Sequence, residues 1–163
     1  MRRVNAIVRH PVYRKCYSRL MELEKDRIYC RHQMDHLLDV ARIAYILNME
    51  QGLGIGKEVI YAAALLHDIG KSAQYEEKIP HEEAGEAIAS GILDSLSGDL
   101  CFSDREKREI LTAIRGHRRL REDPEPLEYL IYTSDKASRR CFACAAEEQC
   151  DWSTEKKNME ITI

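Results

Sequence analysis

Apolar residues recur along most of this chain at helical spacing, while the short alternating runs of a half-buried strand are scarce. A first helix is predicted over about Pro11 to Asp26, with Pro11 tolerated in its first turn. A second, about Arg31 to Glu50, carries the apolar stripe Leu37, Val40, Ala41, Ala44, Ile46 and Leu47, and Gly52 and Gly54 end it. The third runs from Gly56 to Leu66, with Gly70 as a stop just beyond. Pro80 opens a fourth, to about Leu96, whose face is Ala84, Ala87, Ile88, Ile92 and Leu96. Ser103 and Glu106 form a capping box, so a fifth helix starts there and reaches about Arg115 before Gly116 ends it. Glu122-Asp123-Pro124-Glu125-Pro126 reads as a turn, and a sixth helix follows over about Leu127 to Arg140. The tail from about Asp151 to Lys157 is polar, and the residues after it are expected to be extended or disordered. The pattern predicts an all-α fold.

Length and composition narrow this. At 163 residues, with no repeat, low-complexity tract or dividing linker, the chain reads as one domain over 1–163. Hydrophobic content of 44% and charged content of 33% suit a helical globular protein and argue against disorder. The net charge of −3 speaks against non-specific nucleic-acid binding by the whole molecule, and no specific nucleic-acid partner is expected. The charge is uneven: Arg2, Arg3, Arg9, Arg14, Lys15 and Arg19 all precede the first acidic residue, Glu22. That run is either the solvated face of an N-terminal helix or a patch for a polyanion or partner. No apolar run has the length of a bilayer span and no signal peptide is recognisable, so no membrane partner and a cytoplasmic location are expected. The six cysteines, Cys16, Cys30, Cys101, Cys141, Cys144 and Cys150, then read as thiols or ligands and not disulfides.

The chemistry concentrates at Ala62-Ala63-Ala64-Leu65-Leu66-His67-Asp68-Ile69-Gly70-Lys71, where a polar pair stands at the tip of an apolar helix. Burying such a pair is costly unless something satisfies both groups. A divalent cation does so, because neutral imidazole and carboxylate are both ligands for it. The segment resembles the signature of the HD-domain metal-dependent phosphohydrolases, a superfamily whose ligands run in the order His, His-Asp, one or two further His, and a late Asp. His36-Leu37-Leu38-Asp39-Val40-Ala41 resembles the first element, Pro80-His81-Glu82-Glu83-Ala84-Gly85 the third, Ala113-Ile114-Arg115-Gly116-His117 the fourth and Tyr132-Thr133-Ser134-Asp135-Lys136 the last. The likeness spans about 31–140 and leaves a cysteine-containing extension, 141–163. It implies a helical bundle of about six to seven helices.

The resemblance also implies a ligand set: His36, His67, Asp68 and Asp135 for one metal, with His81 and His117 holding a second that Asp68 bridges. His32, one turn before His36, competes for its role. His81 at a helix start should stay neutral through the helix dipole. Histidine-rich, carboxylate-bridged coordination suits Fe, Mn, Co, Ni or Zn, as one or two ions. Asp68, Lys71 and Arg118 are the expected catalytic residues: Lys71 and Arg118, with Arg119, can contact a substrate phosphate, or be ordinary surface charges. Glu82 and Glu83 are candidates for proton transfer or for orienting a ligand.

Two other signals weigh less. Gly52-Leu53-Gly54-Ile55-Gly56 follows a helix and lacks dinucleotide-binding spacing, so it reads as a terminator and turn. Cys141-Phe142-Ala143-Cys144 with Cys150 can bind a metal, with Cys16 or Cys30 as remote fourth ligand, or simply pack. The favoured function is a phosphohydrolase acting on a small phosphorylated substrate such as a nucleotide through a metal-activated water, with a homodimer left open. The alternatives are a non-catalytic HD domain that binds a nucleotide or protein partner as a regulator, and a cysteine-bound metal or redox protein.

Overall fold

A computed structural model describes residues 1–161 and 163; Thr162, in the tail expected to be extended or disordered, lies outside the described residues. The described residues form α1 (Arg2–Arg9), α2 (Pro11–Leu23), α3 (Met34–Glu50), α4 (Lys57–Leu66), α5 (Lys71–Glu77), α6 (His81–Ser95), α7 (Asp104–Gly116) and α8 (Pro126–Ala137), with four single-turn 3-10 segments. No strand occurs among the described residues, so the all-helical expectation holds. All six expected helices are present, and two short ones join them. α1 is set off from α2 at His10, whose Nδ1 accepts from the Val12 backbone N–H as Pro11 enters the next helix. α5 has only seven residues, too few to show periodicity, and follows the glycine read as a stop.

α4 explains the arrangement. Val59, Ile60, Ala62, Ala63, Ala64, Leu65 and Leu66 are all buried. A helix apolar on every side belongs at the centre of a core. α3 packs on it with Val40, Ala41 and Ala44, and Ile110, Ala113 and Ile114 of α7 and Leu130 and Ile131 of α8 join the same apolar cluster. The C-terminal end of α4 therefore opens inside the bundle, and the His67-Asp68 pair emerges there.

Gly70 does more than end a helix. A Cβ on it would overlap the carbonyl oxygen of His81 and the backbone nitrogen of Gly85. The missing side chain lets the turn after α4 press against the start of α6, which carries His81. Half of the basic N-terminal run is paired: Arg2 with Asp99, Arg3 with Glu58 at 2.8 Å and Glu106 at 3.0 Å, and Arg19 with Glu76 at 2.6 Å. Among the described residues no helix is long and apolar enough to cross a membrane.

Candidate metal centre

The six expected ligand residues converge. His36 Nε2 lies 3.5 Å from Asp68 Oδ2 and 3.4 Å from Asp135 Oδ1. His67 Nε2 is 3.0 Å from Asp68 Oδ2. On the other side of the same carboxylate, Asp68 Oδ1 faces His81 Nε2 at 3.5 Å and His117 Nε2 at 3.6 Å. The donor atoms fall into two groups with Asp68 common to both: His36, His67, Asp68 and Asp135, and Asp68, His81 and His117.

The outer nitrogens of the histidines fix what the inner ones can do. His67 Nδ1–H donates to the Ala64 carbonyl at 2.7 Å, and His117 Nδ1–H to the Ile114 carbonyl at 2.6 Å. A carbonyl can only accept, so in the neutral ring the proton sits on Nδ1 and Nε2 carries a lone pair. His81 Nδ1–H donates to Gln74 Oε1 at 2.5 Å, and His36 Nδ1–H to Ser138 Oγ at 3.0 Å, while that hydroxyl donates to the Asp135 carbonyl. Four imidazole lone pairs thus point inward at two carboxylates. The Nε2 atoms of His81 and His117 are 2.9 Å apart, a contact that two lone pairs do not make without a proton or cation to share. His67 Nε2 and Asp68 Oδ1 are buried with no hydrogen-bond partner. This donor set fits a divalent cation, and the orienting bonds to carbonyls and a hydroxyl are those that metal-binding imidazoles require.

Electrostatics divide the histidines: burial opposes a charge on His67, yet the Asp68 carboxylate beside it pulls that imidazole above its ordinary value. Burial lowers the His36 imidazole to about 4 against a partial upward pull from Asp68, and lowers His81 to about 2 with Lys71 adding to the effect. His81 begins α6, as expected, and burial together with the Lys71 charge disfavours its protonation there. Burial works against ionisation of Asp68, yet His67, His32 and Lys71 hold its carboxyl well below the ordinary range. Burial likewise opposes ionisation of Asp135, and Arg139 and Lys136 overcome it.

Other expected residues separate. Lys71 is mostly buried, its Nζ 4.0 Å from Asp68 Oδ1. Arg118 stands at the rim, 3.4 Å from Glu82. Arg119 is exposed and outside the cleft lining, and Glu83 is turned to the surface, where it pairs with Arg115 at 3.0 Å. His32 lies in the loop before α3 and reaches 3.8 Å from Asp68 Oδ2. Glu24 holds it, accepting from its Nδ1–H at 2.5 Å and its backbone N–H at 2.8 Å.

Arg139 was not anticipated. It is buried, bonds Asp135 Oδ1 at 2.8 Å and sits 3.0 Å from His36 Nε2, supplying positive charge beside two of the four donors of the first group. Its spacing of four residues from Asp135 on a helical register is the signal that could have found it. The cleft around these residues has a volume of about 220 Å³ and is lined also by Lys136, Trp152 and Lys156. A wider depression of about 470 Å³ along α7 is lined by ion-pairing residues such as exposed Arg105 and half-buried Glu109 and has no convergent donor set, so the chemistry belongs to the smaller cleft.

The family model described as HD domain matches residues 34–145. A Clostridium beijerinckii protein described as "Uncharacterized protein" is 42% identical over 161 residues, covering 99% of both chains. Ribonuclease Y of Desulforamulus reducens is 28% identical over 130 residues, and ribonuclease Y of Petrotoga mobilis 31% over 110. These two alignments cover 79% and 68% of this chain but 22% and 19% of the relatives, about a fifth of their length. No solved structure matches the chain.

Proposed function

This chain belongs to the HD domain family, and from that premise we propose that it is a metal-dependent phosphohydrolase acting on a phosphate ester or anhydride of a small molecule such as a nucleotide. One observation carries the reading: inward lone pairs on four histidines meet two buried carboxylates in two donor groups that share Asp68. His36, His67, Asp68 and Asp135 would hold one ion, and Asp68, His81 and His117 a second. Divalent ions there supply Lewis acidity toward phosphoryl oxygens and a nucleophilic water near neutral pH.

The remaining residues suit a phosphate substrate. Lys71, Arg118, Lys136, Arg139 and Lys156 line the cleft against only two carboxylates, Asp68 and Asp135, although the whole chain has a net charge of −3. Lys71 and Arg139 are desolvated, so their attraction for an anion is weakly screened. Arg139 and Arg118 can each offer a planar fork to phosphoryl oxygens. Glu82, next to His81, is placed to receive or return a proton at the rim. The cleft is smaller than the roughly 300–1,000 Å³ of sites that engulf a drug-sized ligand, which suits a phosphoryl group with its adjoining atoms. The name of the ribonuclease Y relatives supports including a phosphodiester among the bonds to test.

The test is a phosphate-release screen over nucleotides and short phosphodiesters, with metal content measured beside it. Asp68→Ala is expected to lose one to two ions relative to the unsubstituted chain and on the order of 10³-fold in rate, with helix content kept. Ions lost from Asp68→Ala in a chain that turns over no substrate would transfer the site to the regulatory reading. Unchanged metal content in that variant would remove the centre itself.

A further inference from the structure

We propose that Cys30, Cys141, Cys144 and Cys150 form a separate tetrathiolate site for zinc or a similarly soft divalent cation, which fastens the C-terminal extension to the loop before α3.

Four of the six cysteines line one pocket of about 20 Å³, although Cys30 is 111 residues before Cys141. Cys16 and Cys101 lie elsewhere, which selects Cys30 as the remote partner. Local structure gathers the other three. The 3-10 turn Cys141–Ala143 closes with the Cys144 N–H bonded to the Cys141 carbonyl at 3.2 Å. A second such turn, Glu147–Gln149, returns the chain so that the Cys150 N–H meets the Glu147 carbonyl at 3.1 Å. Cys-x2-Cys on a tight turn, completed by thiols from further along and from a distant loop, is the arrangement of structural zinc sites. The volume suffices for one sphere of water size, but the lining is mostly carbon and sulfur, so a water there would find few partners. All six cysteines are free thiols.

The extension itself needs a fastening. Among the described residues of 141–163 there is no α-helix, and only Cys141 and Ala146 are buried. Phe142, Met159, Ile161 and Ile163 are exposed. A segment with so small a core is held by a crosslink or metal when it is held at all. The direct bonds are few: Tyr29 Oη–H to the Gln149 carbonyl at 3.2 Å, and Asn158 Nδ2–H to the Ala137 and Arg139 carbonyls at 2.8 Å each. No three of the sulfurs lie mutually within 4.8 Å, as the donors of the histidine centre do. Closing them on a cation requires side-chain rotation on turns that are mostly solvent-facing.

The experiment uses the full chain purified without chelator. Thiols are counted with a colorimetric disulfide reagent while metal is released stepwise by an organomercurial, and cobalt-loaded protein is examined for thiolate-to-cobalt charge transfer. Four thiols should be blocked until metal leaves, and the charge-transfer bands should persist in Asp68→Ala and vanish in Cys144→Ser. Because the thiol count and the bands are read on the unsubstituted chain, a misfolded variant does not obscure the answer. Six freely reacting thiols, or a cobalt spectrum without sulfur charge transfer, would overturn the assignment.

Discussion

The end of α4 and the C-terminal extension organise their polar groups by opposite means. At the first, a helix buried on every side delivers His67 and Asp68 into the bundle, and carbonyls of α4 and α7 set the imidazoles. The fold holds the ligands. In the extension there is almost no core, and four thiols from two distant segments surround one small pocket. There the proposed ligands hold the fold. The difference is that a metal centre on packed helix ends should survive loss of its ion with its backbone intact, whereas a centre among turns should not.

The strongest way to break the comparison is to disturb the scaffold of the first region alone. Gly70→Ala places a methyl group against the His81 carbonyl and Gly85, where backbone has to give way. Overpacking of this kind costs about 1–3 kcal/mol, a fall in Tm of roughly 3–10 °C for a chain of this size. Thermal unfolding should show that loss together with weakened metal binding at the histidine centre, while the count of blocked thiols stays unchanged. Simultaneous failure of both regions would mean they are one unit.

A pH series sharpens the contrast next. Burial would raise the Glu24 carboxyl, but the bonds from His32 and Tyr75 lower it from 4.5 to about 2. A depressed folded-state value means stability that is present above the ordinary value and is lost as pH falls from about 4.5 toward 2. In metal-stripped protein, urea unfolding across that window should show the loss. Glu24→Gln should begin on the order of 1–3 kcal/mol less stable near neutrality and give a flatter profile. Parallel profiles for the two proteins would remove Glu24 from the support of His32.

The smallest expected effect tests orientation without packing. Ser138 accepts the His36 Nδ1–H and is itself fixed by donating to the Asp135 backbone carbonyl, so one hydroxyl steers the His36 ring. Ser138→Ala should weaken metal binding at the histidine centre about tenfold with little change in Tm. Calorimetric titration of metal-stripped protein measures it, and equal affinities would mean that packing alone aims His36.

What the chain made legible follows the range of the physics. The six main helices came from local periodicity, and the doublet came from the conflict between a polar pair and an apolar helix. Ser103 and Glu106 form the expected capping box. The coarse site came from ligand order. The approach of Arg139 to His36 and the choice of Cys30 over Cys16 depend on contacts between distant segments, and the Glu24–His32 pair on a loop with no periodicity, whereas the Arg139–Asp135 spacing is local. His81 is a mixed case: its neutrality was foreseen, but the burial and the Lys71 charge that cause it belong to the assembled cleft.

Asp68 and Asp135 belong to one donor group yet are separated in the chain by α5, α6 and α7. Synthesis proceeds from the N-terminus, so a growing chain has no complete histidine–carboxylate set until α8 has been made, and no complete thiol set until Cys150. An ion held by the full histidine–carboxylate set would therefore report that the segments from α3 to α8 have been made and docked.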